Sequence, residues 1–246
     1  MSATAKVTAL FPERSPDPLE FVDYRLAETS EEKDEIYRLR YRAYLREGAI
    51  LPSESQRVTD RYDDEPNNFI FGVYYRDELY SSIRISVLRG EWRGSPSSEM
   101  FADLLHPELD SGKTIIDPTR FVADPDKARV FPELPYVTVR LGYVACGHFN
   151  ADIGLANVRP EHRAFYRKVF LQKPLGEPKL FPGLIKPVGL MAANYREIRD
   201  RVFQRFPFMR SSAFERRMLF QRSGERQAFP REVVTSFERA SAVSAS

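Results

Sequence analysis

Residues 116–125, IDPTRFVADP, set an aspartate, a threonine and an arginine inside what otherwise reads as a buried β-strand. Ile115 and Ile116 precede Asp117, Thr119 and Arg120, and Phe121 and Val122 accompany them. An ionised carboxylate and a guanidinium are tolerated in apolar surroundings only when paired and hydrogen-bonded. Any fold of this chain must therefore bring partners to this strand. Pro118 adds a second constraint: having no N–H to give to a ladder, it implies a sheet edge, a bulge or a place where neighbouring strands part.

The partners are sought in the preceding hundred residues. Thr29 and Glu32 have the spacing of a capping box, and Ile36, Leu39 and Ala43 then recur at helical spacing until Gly48, which predicts a helix over 31–46. Arg40 lies on or beside the face this helix buries, since Ile36, Tyr37, Ala43 and Tyr44 are its neighbours one turn away. Arg84 interrupts a strand-like run in which Ile83, Ile85 and Val87 alternate with Arg84 and Ser86. Between these elements runs Asp60-Arg61-Tyr62-Asp63-Asp64. The expectation is a semi-buried ion-pair network of Arg40, Arg84, Arg120, Asp60, Asp63 and Asp117. Spacing alone leaves a second reading open, in which these charges lie on solvated faces and pair weakly at the surface.

The rest of the pattern predicts one α/β domain over 21–237, with an N-terminal arm over 1–20, a helical extension over 196–237 and a Ser/Ala-rich tail over 238–246. Expected strands cover 21–26, 69–75, 79–88, 114–123 and 153–158, the second and third forming a hairpin around Arg76-Asp77-Glu78. Short helices are expected at 98–105 and 160–171. A longer one over 135–149 starts on Pro135, with Val137, Leu141, Val144 or Ala145, and His148 on one face. Its N-terminus is expected to have free backbone N–H groups that suit a phosphate, although a plain core helix would have the same pattern.

Several chemistries are excluded or weakened. His106, His148 and His162 are far apart and, with the single Cys146, make no zinc pattern. Cys146 and His148 are two apart on the expected helix and do not face each other, so no Cys-His nucleophile is expected. No nucleophile elbow or phosphate-binding loop occurs. A net charge of +2 argues against a general polyanion binder. The aromatic and basic run 196–222, with Phe203, Phe206, Phe208 and Phe214, is interrupted by acids and reads as helix packing or contact with an apolar chain, not as a nucleic-acid surface. One cysteine and no apolar leader or membrane-length run lead to the expectation of a reduced, cytoplasmic protein.

YRLRYRAY (37–44), DRYD (60–63), SIRISVL (82–88) and DPTRFV (117–122) resemble, in order and spacing, the autoinducer-synthase branch of the GNAT acyltransferases. The positions carried over are Arg40 and Tyr44, Asp60 and Asp63, Arg84, and Asp117 with Arg120 and Phe121. Asp117 stands where the homoserine-lactone synthases carry Glu. The Trp expected after the first helix is absent, with Ile50 nearby. Residues 163–191 are similar to the long-chain N-acyl amino acid synthases, and exosortase-associated acyltransferases look similar too. The resemblance spans roughly 24–192 and implies a central twisted mixed sheet, flanked by helices, whose splayed central strands take the thioester and its pantetheine arm.

That resemblance implies attack of an amino acid's α-amino group on a fatty acyl thioester. The donor would be acyl-phosphopantetheine on an acyl carrier protein or CoA, with no covalently bound cofactor. Asp117 is expected to anchor the amine first and to act as base second, since a carboxyl near pKa ~4 is a poor base for an amine near ~8. Arg40, Arg84 or Arg120 would fork the acceptor's carboxylate. Thr119, Phe121 and Val122 would border the substrate, with strand N–H groups near Phe121 and Val122 meeting the oxyanion. Tyr166 is a candidate proton donor to sulfur, or a core aromatic. Ala156 leaves room for a long acyl tail. Arg159, Arg163, Arg167 and Lys168 would receive an acidic carrier protein, or simply form a solvated face. Peripheral membrane contact through an amphiphilic product is the last expectation. The alternatives are a homoserine-lactone synthase using S-adenosylmethionine and a non-catalytic acyl- or carrier-binding module.

Overall fold

Two apolar runs that alternate with polar or small residues fold back on each other to form the centre of the sheet. Asn68–Tyr75 (β2) and Glu78–Leu88 (β3) pair antiparallel around Arg76 and Asp77, which both take positive φ, 50° and 65°. That conformation gives a tight hairpin the twist its strands need. The structure, a computed structural model, describes residues 18–222. Most of the expected arm, the extension beyond 222 and the tail 238–246 lie outside the described residues.

Val22–Leu26 (β1) pairs antiparallel with β2, and Ile115–Ala123 (β4) pairs antiparallel with β3. Ile153–Val158 (β5) runs parallel to β4. The short Lys173–Pro174 (β6) and Gly189–Asn194 (β7) complete a seven-stranded mixed sheet of order β1-β2-β3-β4-β5-β7-β6. β6 and β7 were not expected, because prolines and glycines crowd residues 174–189 and β7 itself is GLMAAN, with little alternation. β7 nevertheless gives β5 its antiparallel partner along all six residues.

One face of the sheet carries Ser30–Arg46 (α1), whose capping box forms as expected: Glu32 N–H donates to Thr29 Oγ1 at 3.2 Å and Thr29 N–H to Glu32 Oε2 at 3.0 Å. Ile36, Leu39 and Ala43 of α1 pack on Ile70, Tyr74 and Val122. The helix expected over 98–105 is two helices, Pro96–Met100 (α2), capped by Ser95, and Ala102–Asp110 (α3). Leu105 and Leu109 of α3 close over Leu88, Ile115 and Leu155 on this same face.

After the single turn Lys127–Val130 (α4), the opposite face is covered by Leu134–His148 (α5), which packs on Ile83, Ile85 and Val87. The expectation of one apolar face for α5 is corrected: residues 137–146 are buried all round. Two C-terminal helices, Tyr195–Arg205 (α7) and Ala213–Phe220 (α8), contribute Tyr195, Val202 and Phe220 to the core cluster that encloses α5. Arg140 of α5 is buried beneath them and donates to Phe208 O at 2.6 Å, Arg210 O at 2.7 Å and Glu215 Oε1 at 2.6 Å. Arg163–Val169 (α6) follows a 3-10 turn, Pro160–His162, at the end of β5. Among the described residues no helix is long and apolar enough to cross a membrane.

Candidate active site

Strict alternation along β4 would send Thr119 and Arg120 to opposite faces of the sheet. A bulge prevents this. Ser82 pairs with Val122 and Arg84 with Thr119, so β4 spends one more residue than β3, and the extra residue is Arg120 at φ 55°. Thr119 Oγ1 accepts from Arg84 Nε at 3.0 Å, while the Arg120 guanidinium swings to the same side and donates to Asp60 Oδ2 from Nε at 3.0 Å and Nη2 at 2.6 Å.

The network expected from the sequence forms around these residues. Arg84 Nη1 donates to Asp60 Oδ1 at 2.5 Å and Asp63 Oδ1 at 2.9 Å. Arg40 Nη1 donates to both oxygens of Asp63 at 2.9 Å. Asp60 and Asp63 are fixed as the first and last members of a capping box on the 3-10 turn Arg61–Asp64. Arg40, Asp63 and Arg84 are completely buried or nearly so. Burial works to raise the Asp60 carboxyl, but Arg84 and then Arg120 outweigh it and hold it at about 2. Three guanidiniums meet two carboxylates, so the network carries one positive charge in surplus. Burial pulls the Arg40 guanidinium down against the opposing charge of Asp63, and its Nε and Nη2 are buried without a hydrogen-bond partner.

Asp117 is not part of this network. Its Oδ1 accepts from Ser97 Oγ at 2.8 Å and from Asn157 Nδ2 at 2.7 Å; among the described residues its side chain makes no ion pair with an arginine. The expected pairing fails because Asp117 is opposite Ser86, one pair of residues further along the ladder from Arg84, under the N-terminus of α2. Burial dominates its titration and raises the carboxyl, against hydrogen bonds from Ser97, Ser95 and Asn157 and the charge of Arg84. Oδ2 is buried without a partner.

The strands part at this point. β4 and β5 are paired only at Ile115 with Ile153 and Ile116 with Gly154; from Asp117 onward β4 keeps β3 alone and β5 keeps β7 alone. Of the three structures Pro118 allowed, parted strands are the one found at this residue, with the bulge two residues on. Behind the opening, Gly142 of α5 lets the helix approach: a Cβ there would lie 2.8 Å from Pro118 Cγ. A cavity of ≈ 790 Å³ occupies the gap, within the range that holds small-molecule ligands.

Of the residues expected at the site, Tyr44, Asp60, Thr119, Arg120, Phe121, Val122, Ala156, Arg159 and Tyr166 line this cavity. Arg120 lies over the Tyr44 ring at 5.9 Å. Arg40, Asp63, Arg84 and Asp117 are behind the wall and do not line it. Arg84 and Arg40 are therefore braces, and direct contact between Asp117 and an acceptor amine is corrected by its complete burial. Tyr166 packs on Ala156, Val158 and Met191, and burial raises its phenol far above the ordinary tyrosine range. The four expected carrier-facing cations separate. Arg167 and Lys168 are exposed, whereas Arg159 pairs with Glu47 at 2.6 Å and Glu161 at 3.2 Å. Arg163 is partly covered, with Nε and Nη2 buried. Burial raises the Cys146 thiol well above its usual value and makes it inert. Among the described residues no cluster suits a metal ion.

Residues that sequence reading missed complete the wall. Asn157 bridges the parted strands to Asp117, and Glu99 and Tyr62 face the cavity. Ser95 and Ser97 come from SPSSE, a run whose only visible signal was a helix start; Asn157 has no signal beyond being polar in a short strand.

Residues 35–194, well over half of the 246, match the family described as N-acyl amino acid synthase FeeM. The solved structure of FeeM, an N-acyl amino acid synthase from uncultured soil microbes, is similar at TM-score 0.62 and 18% identity, covering 75% of this chain and 96% of that one. BjaI, a CoA-dependent acyl-homoserine lactone synthase solved with SAM and isopentyl-CoA, gives TM-score 0.52 and 16% identity over 75% and 88% of the two chains. MesI, a further CoA-dependent acyl-homoserine lactone synthase, gives TM-score 0.52 and 13% identity over 78% and 97%. No curated protein matches the sequence. The solved structures establish the fold, a mixed sheet flanked by helices with its central strands splayed, as in GNAT-like acyltransferases. With the family match running from within α1 to the end of β7, this chain is an acyltransferase and belongs to the FeeM family of N-acyl amino acid synthases.

Proposed function

We propose that this chain moves a long fatty acyl group from the phosphopantetheine thioester of an acyl carrier protein to the α-amino group of an amino acid. The observation that carries the reading is the cavity between the parted strands, which gathers two kinds of wall. Asp60, Thr119 and Arg120 supply charge and hydrogen bonds, whereas Tyr143, Phe170 and Tyr195 form a ring cluster with centroids 5.1 Å and 5.5 Å apart. A zwitterionic acceptor suits the first wall and an acyl tail the second.

Each step of the chemistry has a group to serve it. The surplus positive charge of the network reaches the cavity only through Arg120, which would bind the acceptor's carboxylate, with Arg40 and Arg84 holding Asp60 and Asp63 behind it. The thioester carbonyl would lie along the unpaired edge of β4, where strand N–H near Phe121 and Val122 meets the developing oxyanion. The start of α5 is not assigned the arm's phosphate, contrary to the expectation from sequence: Pro135 has no N–H, and those of Leu134 and Tyr136 donate to Phe131 O and Glu133 O. Tyr166, kept neutral by burial, would hydrogen-bond the departing sulfur. Asp117 would act through Asn157, fixing the point at which the strands part. Ala156 would leave room for the tail, and Arg167 and Lys168 would face an acidic carrier.

Lipids extracted from cells expressing the chain, analysed by mass spectrometry, should contain N-acyl amino acids with long acyl groups. Acylated homoserine lactones alone would overturn the acceptor. Purified protein should show a lower KM for a palmitoyl carrier protein than for palmitoyl-CoA, and the reverse order would overturn the donor.

A further inference from the structure

We infer that Glu99, on the short helix α2, is the carboxylate that holds the acceptor's α-ammonium and takes a proton from it. The assignment rests on the acyl transfer proposed above and gives its amine-handling step to a residue that the sequence pattern did not single out.

Among the described residues three carboxylates line the cavity: Glu47, Asp60 and Glu99. Glu47 is paired with Arg159 at 2.6 Å. Asp60 accepts from Arg84 and Arg120 through both oxygens, and a carboxylate so held is too weak a base for an ammonium proton. Asp117, the acid expected from the sequence, is completely buried and is not on the wall. Glu99 differs from Asp60 and Asp117 in its exposure, and from the equally exposed Glu47 in its partner, since Arg159 is mostly buried and Arg61 is not. The Glu99 side chain is 54% exposed, and its protein bonds, from the Tyr62 hydroxyl and from Arg61 Nη2 at 2.8 Å, both fall on Oε2. Arg61 is itself 70% exposed, so water screens its hold on Glu99. Oε1 is left for a substrate.

The placement of Glu99 follows from its helix. Two residues earlier on α2, Ser97 Oγ is 2.8 Å from Asp117 Oδ1 and 3.0 Å from Asn157 Oδ1, which pins α2 to the point where the strands part. Tyr62 connects Glu99 to the guanidinium network: its hydroxyl bonds Glu99, and Arg84 lies over its ring at 5.7 Å. Arg120 and Glu99 thus present opposite charges to the same cavity, as a free amino acid's carboxylate and ammonium require.

The step balances without a further reactant. The amine nitrogen bonds to the thioester carbon as the carbon–sulfur bond breaks. In becoming an amide N–H the ammonium gives up two protons: one ends on the departing thiolate, and the other passes through Glu99 to the solvent that its exposed side chain meets.

The test uses the full chain, a palmitoyl carrier protein and a mixture of the common amino acids. Wild-type protein should acylate at least one of them, and failure to acylate any would overturn the acyl-transfer reading together with this assignment. With wild type active, Glu99→Gln should lower transfer about 100-fold at neutral pH and raise the acceptor's KM, while the donor's KM holds. Its deficit should shrink as the pH rises past ~8, where the amine loses its proton unaided. Glu99→Asp should recover part of the activity, and Arg61→Ala should keep the wild-type pH profile. Wild-type turnover in Glu99→Gln, or a deficit that is the same at every pH, would overturn the assignment. If Glu99→Gln does not fold, as judged by circular dichroism, the profile of Glu99→Asp decides: an unchanged profile and acceptor KM would overturn it.

Discussion

Asp60 and Asp117 are two low-exposure carboxylates on the same face of the sheet, the first gripped by guanidiniums and the second by a serine and an asparagine. Burial raises both. At Asp60 the directly bonded charges of Arg84 and Arg120 reverse that effect and hold the group at about 2, whereas at Asp117 three neutral donors and the unbonded charge of Arg84 reduce the upward shift without reversing it. Hydrogen bonds from neutral groups soften desolvation, and full opposite charges overcome it. The two regions therefore have different tasks. The Asp60 region is a rigid brace that delivers Arg120 to the cavity, and the Asp117 region is a clasp that joins the parted strands to α2.

The sharpest way to break the contrast is to remove Asp60. Asp60→Ala leaves Arg84 and Arg120 short of a partner in a buried site, and should cost about 3–5 kcal/mol in urea unfolding and abolish acyl transfer. Asp117→Asn should behave in the opposite way. With no arginine to strand, stability should stay within about 1 kcal/mol of the parent. Transfer should nevertheless fall roughly 10-fold, about 1.4 kcal/mol in the transition state, because the amide oxygen of Asn keeps the bonds from Ser97 and Asn157 but holds both donors less firmly than a carboxylate. Wild-type turnover in that variant would remove the clasp from catalysis.

Acid should separate the two regions without mutation. A carboxyl with its folded pKa lowered contributes stability that is fully present above the unfolded value near 3.8 and is lost as pH falls toward about 2. Asp60 should account for roughly 2 kcal/mol of acid-labile stability, since each tenfold shift in proton affinity is worth about 1.4 kcal/mol. Asp117, raised in the folded state, has the opposite sign, so Asp117→Asn should leave that acid-labile component in place. Equilibrium unfolding at a series of pH values below 4 checks both statements. The smallest effect is expected at Gly142→Ala. Its methyl group would press on Pro118 Cγ, and strain of about 1–3 kcal/mol is partly offset by the gain in helix propensity of up to ~1 kcal/mol. Thermal melts should show a net loss of about 1 kcal/mol.

Much of the frame was legible in the order of residues. The capping box of α1, the hairpin of β2 and β3 and the strand β4 follow local rules that tertiary contacts left standing. The edge strands β6 and β7 were not legible, because their glycines and prolines mask a pairing that long-range contact with β5 imposes. The full enclosure of α5 was also hidden, since the helices that cover it come from residues some fifty positions further along the chain.

At the site, the sequence by itself determined that Arg40, Arg84 and Arg120 needed carboxylates and that the Asp60–Asp63 turn was at hand, because unpaired charge is not tolerated among the apolar residues flanking them. It also fixed, through Pro118, that something must interrupt the sheet at that residue. Only the tertiary structure decided which acid met which cation. One residue of bulge brought Arg120 to the side of Arg84, and a two-residue offset along the ladder put Asp117 under α2, out of the network and off the cavity wall. Glu99 and Asn157 enter the site by the same route. Their roles depend on distances between segments dozens of residues apart, and no periodicity along a chain encodes those distances.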